Sequence, residues 1–499
     1  MKEASLVLRN QLSPNFSIIK NAKTIVVIEA TDWADELPHH KKKMVLHFSA
    51  MRHFSDELIK EGVDVIYYPM CDNQDQVFKE LKAKDKITLL HVLEPSEWGV
   101  LDEIKKLCKK HEIELKVHPI EGFLYDDDEF NFQKPPLMET FYRFMRKKTG
   151  ILMSGQKPLG GLWNFDKENR QKAPSDIKVP HKISIKPDKI TLEVIKEVEK
   201  RFPKNFGQLE GFDWPVTRKE ALKALDDFIE HKLKLFGPYQ DAMVIGQREL
   251  FHSLLSPLLN ISLLNPLEVI EKAEEAYHKK KVTLASCEGF IRQILGWREY
   301  VHQVYKANMP KYKKLNFFEA KGKLPDFYWD AKTDMRCIQE SVQAVIDDGI
   351  NHHIQRLMIT GNFALIAGIS PQEVNDWYFF GYLDAFDWVV TPNVLGLSLY
   401  ADGGMIATKP YASSAGYIQK MSNYCSNCKY KAKTTLDEDS CPFNSLYWNF
   451  IDEHKKDFKK NPRMALMVKI WDDKPSKDQK QILEKAESIK KKLASKKPI

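Results

Sequence analysis

The stretch "TIVVIEATDWADELPHHKKKMVLHFSAMRHFSDELIKEGVDVIYYPM" (residues 24–70) sets two short apolar runs on either side of a long amphipathic one. "TIVVIEA" (24–30) and "VDVIYYPM" (63–70) are rich in β-branched and aromatic residues and lack strict alternation, as strands buried on both faces do. "KMVLHFSAMRHFSDELIKEG" (43–62) returns its apolar residues at helical spacing. The alternation continues through "NQDQVFKELKAK" (73–84), "ITLLHVL" (87–93), "EWGVLDEIKKLCKKH" (97–111) and "ELKVHPI" (114–120). Residues 1–120 are therefore expected to form an α/β, Rossmann-like domain with a parallel sheet and helices on both faces. No G-x-G-x-x-G follows the first of these runs, so the usual dinucleotide site is not expected there.

Outward from that unit, residues 121–205 read as an irregular linker rich in Pro, Gly and Lys. Within it "GGLWNFDKENR" (160–170) mixes aromatic, acidic and amide groups in a way that argues against disorder. From residue 206 to 499 amphipathic helices dominate, as in "RKEALKALDDFIEHKLKLF" and "TDMRCIQESVQAVIDDG", which predicts a large all-α domain. The lysine-rich end, residues 474–499, reads as a solvated helix and tail.

Composition narrows the class. Hydrophobic content is 43% and charged content 29%, ordinary for a globular protein. No apolar run has the roughly 20 residues of a membrane span, and the start lacks a secretory h-region. Seven cysteines, four of them scattered, argue against a disulfide framework and for a reducing, cytoplasmic setting. The net charge is +7, and residues 141–204 hold sixteen basic against seven acidic side chains. A basic segment in an otherwise neutral chain fits a polyanionic partner or a solvated linker.

Four constellations carry chemistry. Cys425, Cys428 and Cys441 are spaced C-x2-C-x12-C with Pro442 next, which suits zinc, an iron–sulfur cluster or a redox pair. Three cysteines so close favour a metal centre with one remote ligand. "NDWYFFGYLDAFDWVV" and "FYWD" concentrate Trp and Tyr, either as core or as a hole-hopping chain. "NHHIQRLM" puts His352 and His353 at a helix start with Arg356 one turn on. Ser253 and Ser256 flank another helix start before Pro257, either as a phosphate seat or as an ordinary cap.

Together, "AMRHF", "GGLWNFDKENR", "FGPYQDAM", "HSLLSPLLN", "EGFIRQILGWREY", "HHIQRLM", "GNFALIAGI", "ADGG", "KPY" and "CPFNSLYW" resemble the iron–sulfur bacterial cryptochromes and photolyases. The likeness runs from about residue 5 to 470. It implies FAD in the helical domain, a 4Fe–4S cluster on Cys337, Cys425, Cys428 and Cys441, and a 6,7-dimethyl-8-ribityllumazine antenna in the α/β domain. It implies light-driven repair of (6-4) photoproducts in UV-damaged DNA by a monomeric, cytoplasmic enzyme. The alternative is a blue-light photoreceptor with the same cofactors.

The resemblance also implies roles. His353 matches the catalytic proton donor, and Tyr411 and Tyr417 match tyrosines of the lesion pocket. Trp377, Tyr378 and Trp329 match the chain that reduces FAD. Ser253, Leu254, Leu255, Ser256 and Arg298 match its phosphate seat. Arg356 and Asp384 match an ion pair beside the flavin ring, with Asn393 near N5. Asp166 and Asp241 match acidic residues near the lesion or a divalent ion such as Mg. Gln11 and Glu29 match the antenna pocket. The chain departs from the family pattern at Val390, where Glu is common, at "RNQL" (9–12) and at "SAGYI" (414–418).

Overall fold

A computed structural model describes residues 2–499 apart from 127, 175, 181 and 498. Five parallel strands, β1 (Lys2–Val7), β2 (Thr24–Ala30), β3 (Asp64–Cys71), β4 (Ile87–Leu93) and β5 (Glu114–His118), form a sheet in the order β3-β2-β1-β4-β5. The helices Lys41–Lys60, Gln74–Ala83 and Val100–Lys110 are the crossovers. Four strands agree with the sequence reading. The fifth, β1, is the central one and was not anticipated. Its core is only Ala4, Ser5, Leu6 and Val7, too short and too polar to stand out, and Ser5 satisfies its hydroxyl on the Ile18 carbonyl.

The pleat divides the core. Ala4, Leu6, Val26, Ile28, Leu90 and Val92 are buried beneath the helices Gln74–Ala83 and Val100–Lys110. Val7, Ile25 and Val27 join the helix Lys41–Lys60 in one continuous apolar core with the helical part of the chain. This helix is thus sandwiched between sheet and helical region. Its N-terminal half is buried on every side, lysines included: Lys43 is fully buried with its ammonium on the Phe379 carbonyl (2.8 Å).

Two expectations need correction. Residues 121–205 are not irregular throughout: they include the helices Met138–Thr149 and Lys189–Arg201 and a short hairpin, Met153–Ser154 with Lys157–Pro158. Phe141 and Met145 lie wholly in the core, so the first helix is held by packing that local composition does not reveal. The lysine-rich end is not simply solvated. Helix Ser476–Ala494 buries Ile482, Ala486 and Ile489, a stripe at i, i+4 and i+7, close to helix Pro442–Glu453. Among the described residues no helix is long and apolar enough to cross a membrane.

Candidate active site

Among the described residues the helical region contains four π-helical stretches: Phe228–Lys232, Arg292–Arg298, Gln355–Gly361 and Pro392–Ser398. Such stretches widen a helix locally and cluster at functional sites. Three of them carry Arg298, Arg356 and Asn393.

Arg356 makes a two-pronged ion pair with Asp384 (3.0 and 3.1 Å) and lies 3.9 Å over the ring of Tyr382. Asp384 also accepts from Ser256 Oγ (2.8 Å), and its backbone carbonyl accepts from Asn260 (2.9 Å). The Ser253–Ser256 turn is thereby bonded to the Arg356–Asp384 pair, so the residues expected at the phosphates and those expected at the flavin ring lie side by side. Leu254 takes a left-handed backbone conformation (φ +57°) to make the turn. Asn393 donates to the Val389 carbonyl (2.7 Å). Arg298 is placed differently from its expected partners: it pairs with Glu299 (2.8 Å) and covers Phe123 and Trp388, none of them in the serine turn.

His352 and His353 diverge. His352 is buried and stacked on His252 (4.4 Å between centroids), whereas His353, the first residue of its helix, has an accessible ring. Desolvation and the neighbouring Arg356 and Arg170 lower the pKa of His353 to about 4. Tyr417 donates to Asp241 (3.0 Å), and burial raises the pKa of both. Tyr411 is 38% exposed.

Arg170 joins these groups. It reaches Asp166 (3.5 Å) and Asp241 (3.7 Å), and its charge is felt by His353, Tyr411 and Tyr417. Arg170 ends the "GGLWNFDKENR" run, and nothing in its local sequence marks it for a part in the site. Its guanidinium occupies the space between the two carboxylates, and among the described residues no three acidic, His or Cys groups could share a metal ion there.

Trp377 is fully buried, in edge contact with Tyr378 (5.3 Å), Tyr382 (5.7 Å) and Tyr328 (5.1 Å). Trp329 is 43% exposed and stacks on Phe380 (5.0 Å). Tyr328 thus packs on Trp377 next to the expected Tyr378, whereas Trp329 meets Phe380.

Cys337, Cys425, Cys428 and Cys441 line one small pocket, with Met335, Ile418, Tyr424 and Tyr430 around them. Cys337 comes from helix Arg336–Asp348, and Cys441 immediately precedes helix Pro442–Glu453. Burial pushes up the thiols of Cys337, Cys425 (to about 11) and Cys441 (to about 12), a cost that a metal binding the thiolates removes. Four thiolates around one pocket are the donor set that an iron–sulfur cluster takes.

Gln11 and Glu29 lie apart. Gln11 follows β1 and donates to the Leu93 carbonyl of β4 (3.4 Å), where the strand order reverses and ligands of open α/β sheets bind. Glu29 is fully buried, with both oxygens committed to Arg52, Tyr67 and the Met70 amide. A cavity of about 260 Å³ beneath Phe318, Leu365, Leu399 and Phe450 includes none of the expected site residues.

Residues 5–214 match the family model "Deoxyribodipyrimidine photo-lyase-related protein". The chain is 46% identical over 484 residues to a protein named (6-4) photolyase from Agrobacterium fabrum, covering 94% of this chain and 96% of that one. In structure it is similar to a bacterial class III photolyase from Agrobacterium tumefaciens (TM-score 0.58, 14% identity, 98% of each chain). It is also similar to a Synechocystis cryptochrome (TM-score 0.59, 14% identity, 84% of this chain and 88% of that one). The fold is that of the photolyase/cryptochrome class. Within it, the chain belongs to the iron–sulfur bacterial cryptochrome and photolyase family. Membership implies FAD and suggests an iron–sulfur centre.

Proposed function

We propose that this protein is a light-driven (6-4) photolyase acting on UV-damaged DNA. The observation that carries the proposal is the convergence of His353, Tyr411, Tyr417 and Asp241 on Arg170, with the Arg356–Asp384 pair next to His353. Bound FAD supplies the light-driven electron. Arg356 and Asp384 would hold its ring, the Ser253–Ser256 turn its phosphates, and Asn393 would lie near N5. The four cysteines would hold a 4Fe–4S cluster. A lumazine antenna fits the switch point at Gln11 better than the closed network around Glu29.

The lesion has to leave the helix to reach such a wall, as base-flipping enzymes require. Return of the transferred hydroxyl or amino group to its own base needs a proton delivered and then taken back. His353 holds that proton at its accessible ring. In the free protein its pKa of about 4 leaves it neutral at pH 7, because desolvation and, after it, the charges of Arg356 and Arg170 disfavour the protonated ring. DNA phosphates oppose that field and raise the pKa on binding. Tyr417, held by Asp241, and Tyr411 orient the flipped bases.

The basic segment contributes less charge to DNA than its count suggests. Arg146 is fully buried and donates to the carbonyls of Ile151, Leu152 and Trp163. Lys182 pairs with Asp213 (2.7 Å). Arg143, Lys147, Lys157, Lys167 and Lys172 are exposed and available to phosphates. The photoreceptor reading draws on Val390, which is buried and gives no carboxylate where the family resemblance leads one to expect Glu.

Illumination of the reduced protein with an oligonucleotide containing a (6-4) product separates the two. Intact pyrimidines should return, and His353→Ala should abolish repair while FAD and iron stay bound. Normal flavin photoreduction with no repair by the native protein would establish the photoreceptor reading instead.

A further inference from the structure

We infer that Gln355 is a positioning residue that ties the cysteine pocket to the helix start bearing His353. His352 is the N-cap of this helix, and Gln355 is its third residue. The Gln355 side-chain oxygen accepts from the His352 backbone N–H (3.2 Å), the back-reaching half of a capping box. The His352 ring makes no hydrogen bond of its own, so the reciprocal half of the box is missing and Gln355 carries this end alone. The Gln355 amide donates to Tyr424 Oη (3.2 Å), and Tyr424 directly precedes Cys425 and lines the pocket of the four cysteines.

The same oxygen accepts from the Asn351 side chain (3.4 Å). Asn351 accepts from Tyr382 Oη (2.8 Å) on its side-chain oxygen and from Arg356 Nε (3.0 Å) on its carbonyl. Gln355, Tyr424 and Asn351 are 3%, 2% and 6% exposed. One buried hydrogen-bonded path therefore runs from the residue before Cys425 to the backbone beside His353 and to the Arg356–Asp384 pair. Buried bonds of this kind fix geometry because no water replaces a lost partner. The segments that bear the cysteines thereby set where His353 stands, a part distinct from carrying electrons. The inference rests on the repair reading above.

The test compares Gln355→Met, Gln355→Glu and Tyr424→Phe as full-length, FAD- and iron-loaded proteins. Gln355→Met should keep its flavin and cluster spectra and its affinity for (6-4)-containing duplex, while repair per absorbed photon falls about tenfold, about 1.4 kcal/mol of barrier. Gln355→Glu keeps an acceptor for the His352 N–H and a partner for Tyr424 Oη, and should recover most of the loss. Tyr424→Phe cuts only the arm to the cysteine loop and should lose a few-fold with unchanged iron content.

Native repair per photon in Gln355→Met, or a Glu variant no better than the Met variant, overturns the inference. If Gln355→Met fails to fold, Tyr424→Phe decides alone: undiminished repair refutes the link. His353→Ala measured alongside keeps the two questions apart. If it is dead while Gln355→Met is native, the coupling fails and the repair reading stands; if it repairs normally, the proton-donor reading fails and the link to His353 falls with it.

Discussion

His40 makes the docking of the two halves of the molecule sensitive to acid. It is fully buried at the N-terminus of helix Lys41–Lys60. Its Nδ1 accepts from the Lys42 amide (3.1 Å) and its Nε2 contacts the Ile346 carbonyl (3.1 Å), so only the neutral ring with its proton on Nε2 satisfies both. Burial holds its pKa down to about 4. The unfolded chain takes up this proton near pH 6.5 and the folded one only near pH 4, so stability is lost as pH falls through that window. Integrating between those values gives a loss of about 2 kcal/mol at pH 5 relative to pH 7.5 from this one group. Urea unfolding of the native protein and of His40→Asn at both pH values measures it. Asn keeps an acceptor for the Lys42 amide and cannot titrate, so its stability should fall by about 2 kcal/mol less over the same interval. Equal losses in the two proteins would refute the reasoning, since they would mean that His40 has the same proton affinity folded and unfolded.

Trp377→Phe should slow photoreduction of oxidised flavin at least about tenfold, because Phe cannot carry the hole. The chemically reduced variant should repair normally; transient absorption and a repair assay check the two halves. Asp384→Asn removes the negative charge and leaves one acceptor oxygen where Arg356 and Ser256 now share two. Allowing for partial exposure, it should cost about 2 kcal/mol and loosen FAD, read by thermal unfolding and by flavin retained after dialysis. Binding of damaged duplex should weaken steeply with salt, and Arg143→Ala should reduce the slope of log K against log salt by about 1. A slope near zero would remove the exposed basic side chains from the interface.

The residues that bear chemistry stand out in the chain because their types are rare in combination. Cys425, Cys428 and Cys441 are close in sequence, and the His-His-x-x-Arg and Ser-Leu-Leu-Ser runs each lie within one turn, so local spacing exposes them. Arg170 escaped notice because its importance lies in what surrounds it. Tyr328 went unseen for the same reason, being an ordinary core aromatic until Trp377 is set against it.

By itself the sequence determined the α/β unit, the helical remainder and the candidate groups, because periodicity and residue type are local properties. Strand β1 was hidden, since a short central strand draws its burial from neighbours on both sides. The tertiary structure alone decided which histidine faces outward, which charges of the basic segment are spent internally, and that Glu29 is already saturated. It also placed Gln355 between Tyr424 of the cysteine loop and the backbone of His352. Each of these depends on contacts between residues far apart in the chain, and burial and hydrogen-bond partners exist only once those contacts form.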